Sequence, residues 1–158
     1  MRGLLAFACA GGADRDLGRW CRQLIVTTSV PQDLGKGFDA VIGLTYLEVT
    51  PDGAQARLTI TDKLLQPWGI VHGGIHCAVV ESVASVSGHV WLAEHGGGTV
   101  VGVNNNTDFL RALKAGTVTA TSTPIHRGRR QQLWLVTITD EDERMVARGQ
   151  VRLQNLEG

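Results

Sequence analysis

The stretch Gly73-Gly-Ile-His76-Cys-Ala-Val-Val-Glu81-Ser-Val-Ala-Ser85-Val-Ser-Gly-His89-Val-Trp-Leu-Ala-Glu94 decides the fold. It contains no proline, and Glu81 is its single acid before the last residue, over roughly six helical turns. A helix that is apolar on nearly every side has to be surrounded by protein. Residues 70–93 are long enough to cross a bilayer, but they hold Gly73-Gly74, Glu81 and three histidines, His72, His76 and His89. A buried helix of a soluble protein fits that content better than a membrane span.

The flanking segments supply the wrap. Upstream, residues 41–49 read as a strand and Pro51-Asp52-Gly53 as a turn. Ala54, Ala56, Leu58 and Ile60 then alternate with Gln55, Arg57, Thr59 and Thr61 as a half-buried strand, closing a hairpin. Downstream, Gly96-Gly97-Gly98 stops the helix. Strand-like runs follow at 99–105, at 108–113 leading through Ala115-Gly116 to 117–124, at 131–139 and at 145–153, with polar hairpin turns at 126–130 and 140–144. Strands grouped around one helix and joined by hairpin-length turns predict an α+β fold with an antiparallel sheet of about five to six strands. Residues 1–37 show no clean period beyond one short helix at 16–26. They are expected to form a poorly structured amino-terminal extension to a domain at 38–158.

The 158 residues suit one domain, with 43% hydrophobic and 19% charged residues. Fifteen Lys+Arg balance fifteen Asp+Glu, which argues against a nucleic-acid partner. Three cysteines, Cys9, Cys21 and Cys77, fit neither a disulfide framework nor a zinc ribbon, so a reduced, cytoplasmic protein is expected. The apolar run at 4–10 is shorter than an export signal. Glycine, 20 residues of 158, is nearly twice the usual ~7%.

Glu81 needs a reason. An anionic carboxylate in an apolar helix costs several kcal/mol to bury unless it is paired or hydrogen-bonded. At i, i+4 spacing Cys77, Glu81, Ser85 and His89 share one face, a polar seam that serves either as a water-facing stripe or as a site. Gly73-Gly74 at the helix start expose amide N–H groups that can hold an anion or a developing oxyanion. Gly73 and Glu81 stand eight residues apart, about 12 Å along one helix, too far to act on one carbonyl. A two-fold dimer that sets the start of one helix beside the partner's Glu81 makes two equivalent sites. Trp68, next to the His72-Gly73-Gly74 turn, is a candidate pocket residue.

The run Gln66, His72-Gly73-Gly74, Glu81 and Ser85 is followed by residues 100–111 and by Pro124-Ile-His126-Arg-Gly128-Arg129-Arg-Gln-Gln-Leu-Trp134. Together they resemble the hotdog-fold acyl-CoA thioesterases. The most similar branch is the PaaI-like one that includes the Arthrobacter-type 4-hydroxybenzoyl-CoA and the bacterial 1,4-dihydroxy-2-naphthoyl-CoA thioesterases. The resemblance covers about residues 38–155. It implies a hotdog fold, one long helix wrapped by a curved sheet, and hydrolysis of an aryl- or medium-chain acyl-CoA to free acid and coenzyme A. By the same resemblance Glu81 is the catalytic carboxylate, as nucleophile or as base for water. The Gly73 amide polarises the thioester oxygen, His72 and Gln66 orient the thioester, and Ser85 positions the attacking water. Gly74, Phe109, Arg111, Lys114, His126, Gly128 and Arg129 fall in substrate-binding regions, the cationic ones suited to the phosphate-rich end of coenzyme A. Phe109 departs from the histidine that similar bacterial members carry. The implied assembly is a homodimer with shared sites, arranged as a dimer of dimers, with no cofactor beyond the coenzyme A of the substrate.

Other chemistries fit less well. His72 and His76 have metal-ligand spacing, but glycine follows His72, so the HExxH pattern is absent and no metal is expected. An enoyl-CoA hydratase would need an Asp and a His a few residues apart, and Asp62 stands too far from His72. A non-catalytic acyl-CoA-binding module, a sensor or sequestering protein, is the alternative, although it would have no use for a buried Glu81.

Overall fold

The computed structural model of the protein describes Leu34 and residues 36–157. The expected leader helix at 16–26, Cys9 and Cys21 lie outside the described residues. A short helix α1 (Gly37–Ile42) precedes β1 (Thr45–Thr50) and β2 (Gly53–Thr59), and a 3-10 turn at Asp62–Leu64 leads toward α2 (Gly73–Glu94). Four strands complete the chain: β3 (Thr99–Phe109), β4 (Thr117–Arg127), β5 (Gln131–Thr139) and β6 (Met145–Leu156). The six strands form one antiparallel sheet in the order β1-β2-β4-β5-β6-β3, wrapped around α2. This is the hotdog architecture.

Alternation places the core. Ala54, Ala56, Leu58, Val118, Ala120, Val136, Ile138, Val151 and Leu153 turn inward from the strands and meet Val79, Val80, Val83 and Ala84 of α2, all buried. Burying side chains of this size stabilises the fold by about 1.5–3 kcal/mol each for the larger ones. Trp134 is fully buried with its indole N–H donated to Gln132 Oε1 at 2.8 Å, while Gln132 Nε2 donates to Gly88 O at 3.1 Å and to Asn155 Oδ1 at 2.8 Å. These bonds satisfy a polar knot at the far end of the helix that would otherwise cost about 1–3 kcal/mol per orphaned group. The helix is long and apolar enough to span a membrane by composition; its apolar face is spent on this sheet.

Three sequence expectations are corrected. The predicted strand at 41–49 begins only at Thr45, because residues 37–42 form α1, which ends on Gly43 in the left-handed region (φ 82°). Six residues are too few to show a helical period, and Val41-Ile42 mimic the start of a strand. The predicted break between 105 and 108 is absent: β3 runs unbroken from Thr99 to Phe109, with a register shift between Gly102 and Asn104, and residues 110–116 are loop. The turn expected at 126–130 starts later, since β4 continues to Arg127 past a register shift between Pro124 and His126. A bulge is where a strand tolerates proline.

α1 is tied to the central helix through one carboxylate. Asp39 accepts from Ser82 Oγ at 2.6 Å and from the Tyr46 hydroxyl at 3.1 Å. Burial, then the charge and hydrogen bond of Asp39, hold the Tyr46 phenol far above its ordinary pKa, so it stays a neutral donor.

Candidate active site

The start of α2 is fixed by the loop before it. Gln66 N donates to Ile70 O and Gly69 N to Gln66 O, closing a tight turn, while Val71 N and His72 N donate to Leu113 O and Leu64 O. His72 caps the helix: its Nδ1 accepts from Gly74 N at 2.8 Å. Accepting at Nδ1 leaves the neutral ring's proton on Nε2. Of the two glycine amides predicted to be exposed, Gly74 is therefore occupied. Among the described residues Gly73 N–H has no acceptor, as a first-turn amide should not.

That amide opens on a cavity of about 280 Å³ lined by Gln66, Gly73, His76, Phe109 and Arg111 together with apolar wall residues. Four predicted site residues thus share one hollow. The Phe109 ring lies directly against Gly73. Trp68, by contrast, stands at the tip of the 66–69 turn, 82% exposed and outside the cavity lining of this chain.

Glu81 is half-buried on the side of α2 that meets β3. Its Oε2 accepts from Asn105 Nδ2 at 3.0 Å, and the same nitrogen donates to Cys77 O at 3.0 Å. Thr107 Oγ1 donates to Asn105 Oδ1 at 2.7 Å, which sets the amide with its nitrogen toward the carboxylate. A hydrogen bond to a charged group is worth about 1.5–3 kcal/mol, so this relay offsets much of the cost of placing the acid. Its Oε1 lies over Gly102, at a spot a Cβ would fill. The predicted seam is real: Cys77, Glu81 and Ser85 are half-buried and His89 is exposed.

Gly102→Ala is accordingly expected to push the carboxylate off its position while leaving the sheet intact. With Glu81 as the reacting carboxylate that the sequence resemblance implies, a displacement of ~1 Å costs about 100-fold in rate, so kcat should fall by about ten- to a hundredfold with the thermal midpoint little changed. Unaltered kcat in the Gly102→Ala protein would show that the Glu81 position is irrelevant to turnover.

The remaining predicted residues divide. Arg111 is exposed and lines the cavity, and Lys114 is exposed in the loop that follows it. His126 and Gly128 lie at the β4–β5 hairpin, and Arg129 borders a second hollow of about 570 Å³ shared with His95, Gly96 and Arg130, at the opposite end of α2. That helix has 22 residues, so its ends stand about 33 Å apart, and one chain does not bring Arg129 to Gly73. Arg127 is engaged elsewhere, donating to Pro51 O at 2.9 Å and pairing with Asp52 at 2.8 Å while its guanidinium lies over Trp91. Among the described residues no three His, Cys, Asp or Glu side chains cluster as a metal site.

The sequence does not single out Asn105 or Gly102 as site residues, and it offers His76 only as half of a metal-ligand spacing that the pattern excludes. The signal available was the triplet Asn104-Asn105-Asn106: asparagine is depleted in strands, and a local rule broken inside a regular element points to function.

Residues 69–147 match the family model described as the thioesterase superfamily. The chain belongs to the thioesterase superfamily. A Mycobacterium tuberculosis protein named "Putative esterase" is 59% identical over 128 residues, covering 80% of this chain and 91% of that one. The solved structure of that esterase superposes with a TM-score of 0.75 at 60% identity over 77% of this chain and 97% of the other. The 1,4-dihydroxy-2-naphthoyl-CoA hydrolase of Listeria monocytogenes is 34% identical over 110 residues, 70% of this chain and 88% of that one. A Haemophilus influenzae thioesterase superposes with a TM-score of 0.70 at 31% identity, covering 75% and 82% of the two chains. The protein is a thioester hydrolase.

Proposed function

We propose that the protein hydrolyses an acyl-CoA thioester to the free acid and coenzyme A, in sites shared between two protomers. The observation that carries the reading is the split of the machinery. Glu81 is held at the Gly102 and Asn105 stretch of β3, whereas Gly73 and Gln66 face the cavity beside Phe109, at the other end of the same strand. Among the described residues β3 pairs only with β6, so its outer edge is open, and Val101, Val103 and Phe109 on it are exposed. An unpaired edge of that kind is a template for a second strand. A two-fold axis crossing β3 near Asn106 would pair the strand with its own copy, antiparallel, and bring Glu81 across from the partner subunit's Gly73.

In such a site the Gly73 N–H donates to the thioester oxygen as negative charge develops there, with Gln66 orienting the same group. Glu81 of the other protomer either attacks the carbonyl carbon, giving an anhydride that water then opens, or removes a proton from the attacking water; Ser85, one turn on, is placed to position that water. The carbon–sulfur bond breaks and coenzyme A leaves as its thiol. Arg111 and Lys114 are assigned to the phosphate end of the ligand from the cavity's own chain. His126, Gly128 and Arg129 can join only from another subunit, which is the use we infer for a dimer of dimers. A coenzyme A ester as substrate fits the cytoplasm as the location.

A panel of benzoyl-, hydroxybenzoyl-, dihydroxynaphthoyl- and C4 to C16 acyl-CoA esters, followed by thiol release, tests the assignment. Turnover of at least one aryl or medium-chain ester is expected. Stoichiometric acyl-CoA binding by calorimetry without thiol release would instead make the protein a binding module.

A further inference from the structure

We infer that His76 is a specificity-determining residue, placed to hydrogen-bond a hydroxyl group carried on the acyl part of the substrate. The inference rests on the acyl-CoA reading above and concerns a side chain which that chemistry leaves unused. His76 is only 4% exposed and lines the cavity that holds Gln66 and Gly73. No hydrogen bond to its ring is formed among the described residues, where its neighbour is the Phe109 ring at 6.0 Å between centroids. No fully buried side-chain nitrogen or oxygen among those residues lacks a partner, so the unbonded imidazole nitrogens open to the cavity.

The walls around it are Ile70, Val71, Leu110 and Leu113. Burial lowers the pKa of the imidazole, and the neutral ring offers one donor and one acceptor, the complement of a hydroxyl. An acyl group that fills the cavity shields this ring from solvent. A pure hydrocarbon would leave the ring unpaired, whereas a hydroxylated acyl group satisfies it, and sites built this way reject the analogue that lacks the polar group. His76 follows Gly73 by three residues, about 4.5 Å along the axis, so the hydroxyl belongs a few bonds from the thioester carbon.

Matched pairs of esters read this directly: benzoyl-CoA against its 2-, 3- and 4-hydroxy forms, and butyryl-CoA against 3-hydroxybutyryl-CoA, each with wild type, His76→Leu and His76→Gln. Wild type is expected to favour the hydroxylated member of at least one pair by about tenfold or more in kcat/KM. His76→Leu should erase that preference, bringing the kcat/KM values of the two members of the pair to within about threefold of each other through a larger loss on the hydroxylated ester. His76→Gln keeps a donor and an acceptor and should retain part of the preference, which decides the matter should the leucine protein fail to fold. Equal losses on both members of each pair, or Glu81-dependent turnover by wild type with no preference in any pair, would overturn the role of His76 and leave the thioesterase reading standing. Absence of turnover on every ester would overturn both.

Discussion

Glu81→Gln is expected to lower kcat by about 10²–10⁴-fold, the range a lost general base supplies, while the protein folds and binds ligand as before. The amide is close in shape to the carboxylate, and its oxygen can still accept from Asn105 Nδ2, which holds Oε2 at 3.0 Å. The packing over Gly102 and the link through Asn105 to Thr107 therefore survive. What disappears is the charge that attacks the carbonyl or takes a proton from water. Thiol release from the best ester in the panel, with thermal unfolding as control, reads the effect. A Glu81→Gln protein of near wild-type activity would remove the carboxylate from the mechanism.

Gly73→Pro should be nearly as damaging and for a different reason. Gly73 is the first helical residue after the His72 cap, whose backbone is extended (φ −65°, ψ 131°), so proline is tolerated both there and by its predecessor. The substitution removes one N–H and little else. The added ring atoms press on the edge of the Phe109 ring, which is 54% exposed in the single chain. Loss of one oxyanion donor costs about 10²–10³-fold in kcat, and Gly73→Ala, which keeps the N–H and presses on the same ring, should lose far less. Equal losses in the two variants would assign the damage to crowding at Phe109 rather than to the amide.

Much of the fold was legible because its strongest signals are local. His72-Gly73 and the triple glycine at 96–98 bracket α2, which spans Gly73–Glu94. The alternation in 54–60 matches the burial of β2, and that in β6 holds from Ala147 to Leu153, whereas Met145 is exposed and Val146 buried. The errors fell where tertiary structure overrides local preference. Asn106-Thr107 read as a break between two strands, yet the β6 ladder carries β3 through it, and Asn105 just before it serves Glu81. Spacing on the helix was enough to show that Gly73 and Glu81 cannot share a carbonyl within one chain. It could not show that Glu81 sits against Gly102, because that meeting depends on the pairing of strands distant in sequence. The same holds for Arg111 and Arg129, similar in charge but carried to opposite ends of α2.

The shared site is tested most directly by complementation. Glu81→Gln and Gly73→Pro chains, each nearly inactive alone, are co-expressed in equal amounts and purified together. Random pairing puts half of the dimers in the mixed form, each with one undamaged site and one doubly damaged, so thiol release should recover to about one quarter of wild type. Activity no higher than the mean of the two parent variants would mean that each protomer uses its own Gly73 and Glu81, and would contradict the account.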